Sequence, residues 1–291
     1  MFKGSMVAIV TPFDSQGNFD EETYRQLIEF QIENGTDCIV PCGTTGESAT
    51  LDYEEHDRVI QVCIDQVKKR LPVIAGTGSN STSEAIELSL HAKKMGADGV
   101  LLVSPYYNKP SQEGLYQHYK ALAEAVALPQ VLYNVPGRTG MNMEAKTTIR
   151  LAAFANIVAI KEASGNITQA SEILDKAGDK IDVLSGDDFL TLPLMACGAK
   201  GVISVTANLM PKEVKAMVVA VDEGRWDDAK KMHLKMLDIH NAMFIESNPV
   251  PVKTALSLIG KCRADVRLPL VGLQPASLEK LKSVMKGYDL I

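Results

Sequence analysis

Lys161 stands where a strand core ought to continue. It follows four apolar residues, Ile157 to Ile160, and precedes Glu162, Ala163, Ser164 and Gly165 in the stretch "IVAIKEASGN". A lysine at a strand end ordinarily reaches for solvent or pairs with a neighbouring carboxylate, here Glu162. An amine kept out of water is a different reagent, because burial penalises its charged form and the free amine attacks carbonyl carbon to give a Schiff base. That chemistry also needs a proton shuttle: water must leave the carbinolamine, and a C–H proton must leave to form the enamine.

Groups suited to such a shuttle lie at the ends of other apolar runs. Tyr133 closes "QVLY", and its phenol can give and take a proton. Thr44 and Thr45 in "CGTTGES" and Tyr107 in "SPYYNKP" can extend a relay by hydrogen bonds. Arg138 follows a Pro-Gly turn in "VPGRTG", where its planar fork can hold a carboxylate in bidentate fashion and so favours an acidic substrate. Taken singly, each tyrosine reads as an amphipathic core residue and the arginine as a surface residue. Their convergence on one rim argues against those simpler readings.

The elements that must bring them together are eight short runs rich in Val, Ile and Leu, at 5–10, 37–41, 72–76, 99–104, 130–135, 157–161, 182–186 and 201–205. Their continuous apolar character fits parallel strands buried on both faces. Helical spacing marks the segments between them, near 20–34, 53–70, 81–95, 111–127, 144–154, 168–177, 187–197 and 211–222. An open doubly wound sheet also alternates in this way, but eight repeats favour an α/β fold of the (β/α)8 TIM barrel type. In such a barrel the C-terminal strand ends face one mouth, and the polar groups above all follow strands. The barrel is expected over residues 1–223, with a C-terminal helical region over 224–291 whose Met232, Met236 and Met243 pack a core.

With 291 residues, 46% apolar and 23% charged, the chain has ordinary globular composition. A net charge of -6, with no basic run longer than "KKR" at 68–70, argues against a nucleic-acid partner. Five cysteines form no CxxC pair and suit a reducing cytosol, and the five histidines include no HExxH, so no metal or disulfide framework is expected. "GTGSN" and "GTTGES" are incomplete as nucleotide motifs, and no cofactor is expected. Neither a signal peptide nor a membrane-spanning run is legible, and a cytoplasmic protein is the expectation.

Together, "GTTGE" at 43–47, "YNVPGRTG" at 133–140, "IKEASG" at 160–165 and "SGDD" at 185–188 resemble the dihydrodipicolinate synthase family, and the resemblance spans essentially the whole chain. It implies pyruvate bound as a Schiff base on Lys161, attack of the enamine on aspartate semialdehyde, and ring closure on the route to diaminopimelate and lysine. It further implies a proton relay of Thr44, Tyr107 and Tyr133, with Tyr107 supplied by a neighbouring subunit. Thr45 would bind the pyruvate carboxylate and Arg138 that of the aldehyde, while Gly186 and Ile203 would shape the pocket. A homotetramer built as a dimer of tight dimers is implied. So is a lysine-inhibition site at Ser48, Ala49, His56, Asn80, Glu84 and Tyr106, where Tyr53 departs from the histidine of many inhibited members. N-acetylneuraminate lyase and related keto-acid aldolases share the lysine and tyrosine, but the second threonine of "GTT" and Arg138 tell against them. A catalytically silent amino-acid sensor would have no use for Lys161 and Tyr133 together.

Overall fold

The structure is a computed structural model that describes residues 2–291. Eight parallel strands form the sheet: β1 Gly4–Ala8, β2 Cys38–Val40, β3 Ile74–Gly76, β4 Gly99–Val103, β5 Gln130–Asn134, β6 Ile157–Glu162, β7 Asp182–Ser185 and β8 Gly201–Ser204. Each pairs with its sequence neighbours, and β1 also pairs with β8. Between β2 and β3 the ladder thins to one bridge, Ile39 with Val73, supported by Ile39 N–H to Pro72 O at 3.2 Å and Gly76 N–H to Pro41 O at 2.9 Å. The result is a nearly closed barrel, and the doubly wound alternative is ruled out by the β1–β8 pairing.

The helices are α1 Glu21–Glu33, α2 Tyr53–Val67, α3 Thr82–Met95, α4 Gln112–Ala125, the short α5 Pro136–Thr139, α6 Ala145–Leu151, α7 Ile167–Ala177, α8 Thr191–Ala196, α9 Pro211–Asp222, α10 Trp226–Ala242, α11 Val250–Leu258 and α12 Pro275–Lys286. Polar caps fix several starts. Asp52 and Glu55 form a reciprocal capping box on α2, and Asp20, Ser81, Ser111 and Asn166 accept from the first turns of α1, α3, α4 and α7. The sequence reading misses α5, because four residues carry no helical period.

Strand side chains sort into two cores. Val7, Ile39, Ala75, Val100, Leu102, Leu132, Ile160, Val183 and Val202 point outward and pack under the helices. Met6, Ala8, Cys38, Val40, Ile74, Leu101, Val131, Tyr133, Ala159, Leu184 and Ile203 fill the barrel itself. Both faces of each strand are therefore apolar, which is why the runs read as continuous and not alternating. Met236 and Met243 are buried and Met232 partly so, packing α10 against the barrel helices. "KKR" lies just past α2, with Lys68 and Lys69 exposed and Arg70 paired to Glu29 at 2.5 Å.

Candidate active site

Strand alternation decides where Lys161 points. Ala159, two residues earlier, belongs to the barrel interior, and Ile160 to the outer core, so Lys161 must face inward and Glu162 outward. The β5–β6 register pairs Tyr133 directly with Lys161. Lys161 is 4% exposed, and its Nζ lies 4.3 Å from the centroid of the Tyr133 ring. Pairing with Glu162, the simpler reading, does not occur. Glu162 accepts from Asn134 Nδ2 at 3.2 Å, Gln169 Nε2 at 3.1 Å and the Ser164 N–H at 2.7 Å, all on the other side of the strand.

Gly186 follows β7, and a Cβ there would meet Ala163 Cβ at 2.6 Å, Glu162 O at 3.1 Å and Lys161 Cε at 3.2 Å. A side chain there would collide with Ala163 and crowd the lysine stem. Ile203 is fully buried in the barrel interior with Tyr133. Next to Gly186, burial pushes the Asp187 carboxyl up to about 6, with Asp188 and Glu162 adding to the rise and the positive charge of Lys161 opposing it.

The remaining groups stand on loops and first helical turns after the strand ends. A cleft of about 450 Å³ is lined by Thr44, Ser48, Ala49, His56, Glu84, Tyr106 and Arg138, among others. Arg138 is exposed on α5, and its guanidinium donates to Asn248 O at 3.2 Å. Thr45 is buried beneath the cleft, its Oγ1 accepting from Asn248 Nδ2 at 2.9 Å. Asn248, on the segment before α11, thus ties the loops after β2 and β5 together. The sequence reading missed it because it lies outside the eight-fold repeat; the Asn-Pro pair signals only a turn.

At the far end of the cleft, the Tyr53 phenol and the Ser79 hydroxyl each donate to one oxygen of Glu84. Those two bonds, Ser79 first, hold the Glu84 carboxyl below its usual range, and the bond to Glu84 pushes the Tyr53 phenol up to about 12. His56 is buried with Nε2 2.8 Å from Gly76 O, and burial lowers its pKa. Asn80 sits at the edge, donating to Tyr106 O at 3.2 Å.

Tyr107 is the exception. It is 90% exposed, and its φ of 72° lies in the left-handed region that a bulky side chain seldom adopts. Among the described residues neither a side-chain hydrogen bond nor a ring contact links Tyr107, Thr44 and Tyr133. Among the described residues no helix is long and apolar enough to cross a membrane, and no group of three or more His, Cys, Asp or Glu side chains is gathered as for a metal ion.

A buried amine against a tyrosine at the mouth of a parallel barrel defines a class I aldolase-type enzyme. The dihydrodipicolinate synthetase family profile matches residues 1–287. The 4-hydroxy-tetrahydrodipicolinate synthase of Syntrophotalea carbinolica is 72% identical over 291 residues, covering 100% of this chain and 99% of its own. Among solved structures, the chloride-inhibited dihydrodipicolinate synthase of Acinetobacter baumannii complexed with pyruvate is 49% identical with a TM-score of 0.98, covering 100% of both chains. The Cyanidioschyzon merolae enzyme with lysine bound is 42% identical with a TM-score of 0.97, covering 100% of this chain and 99% of that one. The chain belongs to the dihydrodipicolinate synthetase family.

Proposed function

We propose that the chain condenses pyruvate with L-aspartate 4-semialdehyde to 4-hydroxy-tetrahydrodipicolinate, in the biosynthesis of diaminopimelate and lysine. The observation that carries this reading is the inward-facing Lys161 amine over the Tyr133 ring. The amine of Lys161 attacks the pyruvate ketone, water leaves with a proton delivered through Tyr133 and Thr44, and loss of a methyl proton gives the enamine. Attack of the enamine carbon on the aldehyde forms the new C–C bond. The substrate amine then displaces Lys161 as the ring closes. Thr45 holds the pyruvate carboxylate and Arg138 that of the aldehyde, while Gly186 and Ile203 bound the space between.

The exposed Tyr107 supports a homotetramer built as a dimer of dimers, in which the tyrosine completes the relay of the neighbouring subunit. In the cell the enzyme works in the cytoplasm. The second end of the cleft, with Ser48, Ala49, His56, Asn80, Glu84 and Tyr106, takes lysine as feedback inhibitor. Tyr53 and Ser79 each occupy one oxygen of Glu84, and the lone pairs that remain on the carboxylate can receive the inhibitor's ammonium.

Borohydride added with pyruvate is expected to trap a covalent adduct on the Lys161 peptide in a mass spectrum; an unmodified peptide would sink the mechanism. Offered pyruvate with aspartate semialdehyde or N-acetylmannosamine, the enzyme is expected to consume only the former. Arg138→Ala should weaken turnover of the aldehyde far more than it weakens trapping of pyruvate, and equal losses would reject its role.

A further inference from the structure

The loop that carries Thr44 and Thr45 rests on a pair of opposite charges sealed from solvent. Lys253 Nζ on α11 donates to Glu47 Oε1 at 2.7 Å, and the two side chains are 0% and 1% exposed. The other Glu47 oxygen accepts from the Arg267 backbone N–H at 3.1 Å. Both cations lie against Phe13, with Lys253 Nζ 4.2 Å and the Arg267 guanidinium 4.3 Å from its ring centroid. Arg267 in turn grips the Glu55 carboxylate and donates to Thr50 O at 2.8 Å, on the far side of the same loop. The side chain of Glu47 therefore has no freedom to wander.

Its backbone is equally constrained. Glu47 has φ 54°, in the left-handed region, and its N–H donates to Thr44 O at 3.1 Å. A displacement of the carboxylate must therefore pass through one residue's backbone to Thr44. Sequence spacing adds a second tie, since Asn248, which bonds the Thr45 hydroxyl and Arg138, lies five residues before Lys253 on the same segment. One C-terminal segment thus reaches both loops that are read above as holding substrate carboxylates.

Stability is a weak reason to build such a pair, because well-packed apolar residues of similar volume hold a buried site at least as firmly. What an ion pair adds is a fixed donor–acceptor distance and direction. We propose that the Glu47–Lys253 ion pair sets the position of the Thr44 and Thr45 hydroxyls, which makes Lys253 a positioning residue of the active site although it lies outside the cleft. The proposal rests on the pyruvate reading given above.

The test uses the full-length enzyme and three variants: Lys253→Met, the neutral pair Glu47→Gln with Lys253→Met, and Glu47→Asp, which keeps both charges but shortens the reach. Thermal melting, kcat, KM for pyruvate and borohydride trapping at Lys161 are measured on each. In Glu47→Asp and in the neutral pair, KM for pyruvate is expected to rise and kcat to fall about tenfold or more, while saturating pyruvate still labels Lys161 fully. The neutral pair should show that split at a melting temperature close to that of the parent and well above that of Lys253→Met. Where Lys253→Met does not fold, the other two decide. Parental KM and kcat in a folded neutral pair or in Glu47→Asp would overturn the proposal. Absence of any Lys161 adduct in the parent enzyme would instead reject the pyruvate reading.

Discussion

Among the described residues two lysines are buried, and each lies over an aromatic ring: Lys161 at 4.3 Å from the Tyr133 centroid and Lys253 at 4.2 Å from that of Phe13. Only Lys253 has a carboxylate, Glu47, at 2.7 Å. Burial lowers the pKa of Lys253, and the attraction and hydrogen bond of Glu47 oppose that shift. Lys161 has an aromatic face, apolar barrel walls and the more distant Asp187. The comparison teaches that burial alone does not make a lysine a nucleophile. On the proposed mechanism the difference lies in whether a carboxylate holds the ammonium as a hydrogen-bond donor or leaves the nitrogen able to lose a proton and offer its lone pair to a carbonyl carbon.

Replacing the two lysines by the same residue separates their roles. Lys161→Met should abolish pyruvate trapping and cost at least about a thousandfold in turnover, as loss of a covalent nucleophile does, while the melting temperature holds or rises. Residual turnover near the parental level would erase the distinction. Tyr133→Phe keeps the ring beneath Lys161 and removes only the hydroxyl, so a loss of about a hundredfold or more in kcat, with unchanged melting, is expected. Lys253→Met strands the Glu47 carboxylate in a dry site and should cost about 3–5 kcal/mol by denaturant unfolding, most of it recovered when Glu47→Gln is added.

The smallest effect concerns Asp187, a carboxyl whose charge interacts with that of Lys161. Asp187 titrates at about 6 in the folded chain against an ordinary 3.8, so the fold binds its proton more tightly than the unfolded chain does. Its ionisation therefore lowers stability progressively as pH rises from about 4 to about 6, and the cost stays constant above that. Asp187→Asn should gain about 1–3 kcal/mol over the parent at pH 7 and nothing below about pH 4, read from unfolding curves across that range. A pH-independent difference would show that burial does not govern this carboxyl.

The strands and the buried lysine near the end of β6 were legible because the relevant signals are local. Runs of Val, Ile and Leu mark strands buried on both faces, and α9 over 211–222 matches its reading to the residue because Pro211 starts it and Gly224 follows its end. The reading of 187–197 as one helix was coarser than the chain, which makes a short 3₁₀ turn at Asp188–Leu190 before α8. There Asp188 turns inward to accept from the Val205 and Thr206 N–H groups at 3.0 and 3.1 Å, bonds that no helical period announces. Asn248 and Lys253 escaped for a related reason: their partners lie 203 and 206 residues away in sequence.

By itself the sequence determined that eight apolar runs alternate with helices and that Lys161 ends one of them beside a set of loops rich in hydroxyls. It could do so because hydrophobic period and turn chemistry act over a few residues. The tertiary structure decided which buried lysine has a carboxylate at hydrogen-bond distance, that a side chain at Gly186 would collide with Ala163, and that the Tyr107 side chain is exposed within its own protomer. Those outcomes depend on strand register and on contacts closed across some two hundred residues, where only packing in three dimensions sets the distances.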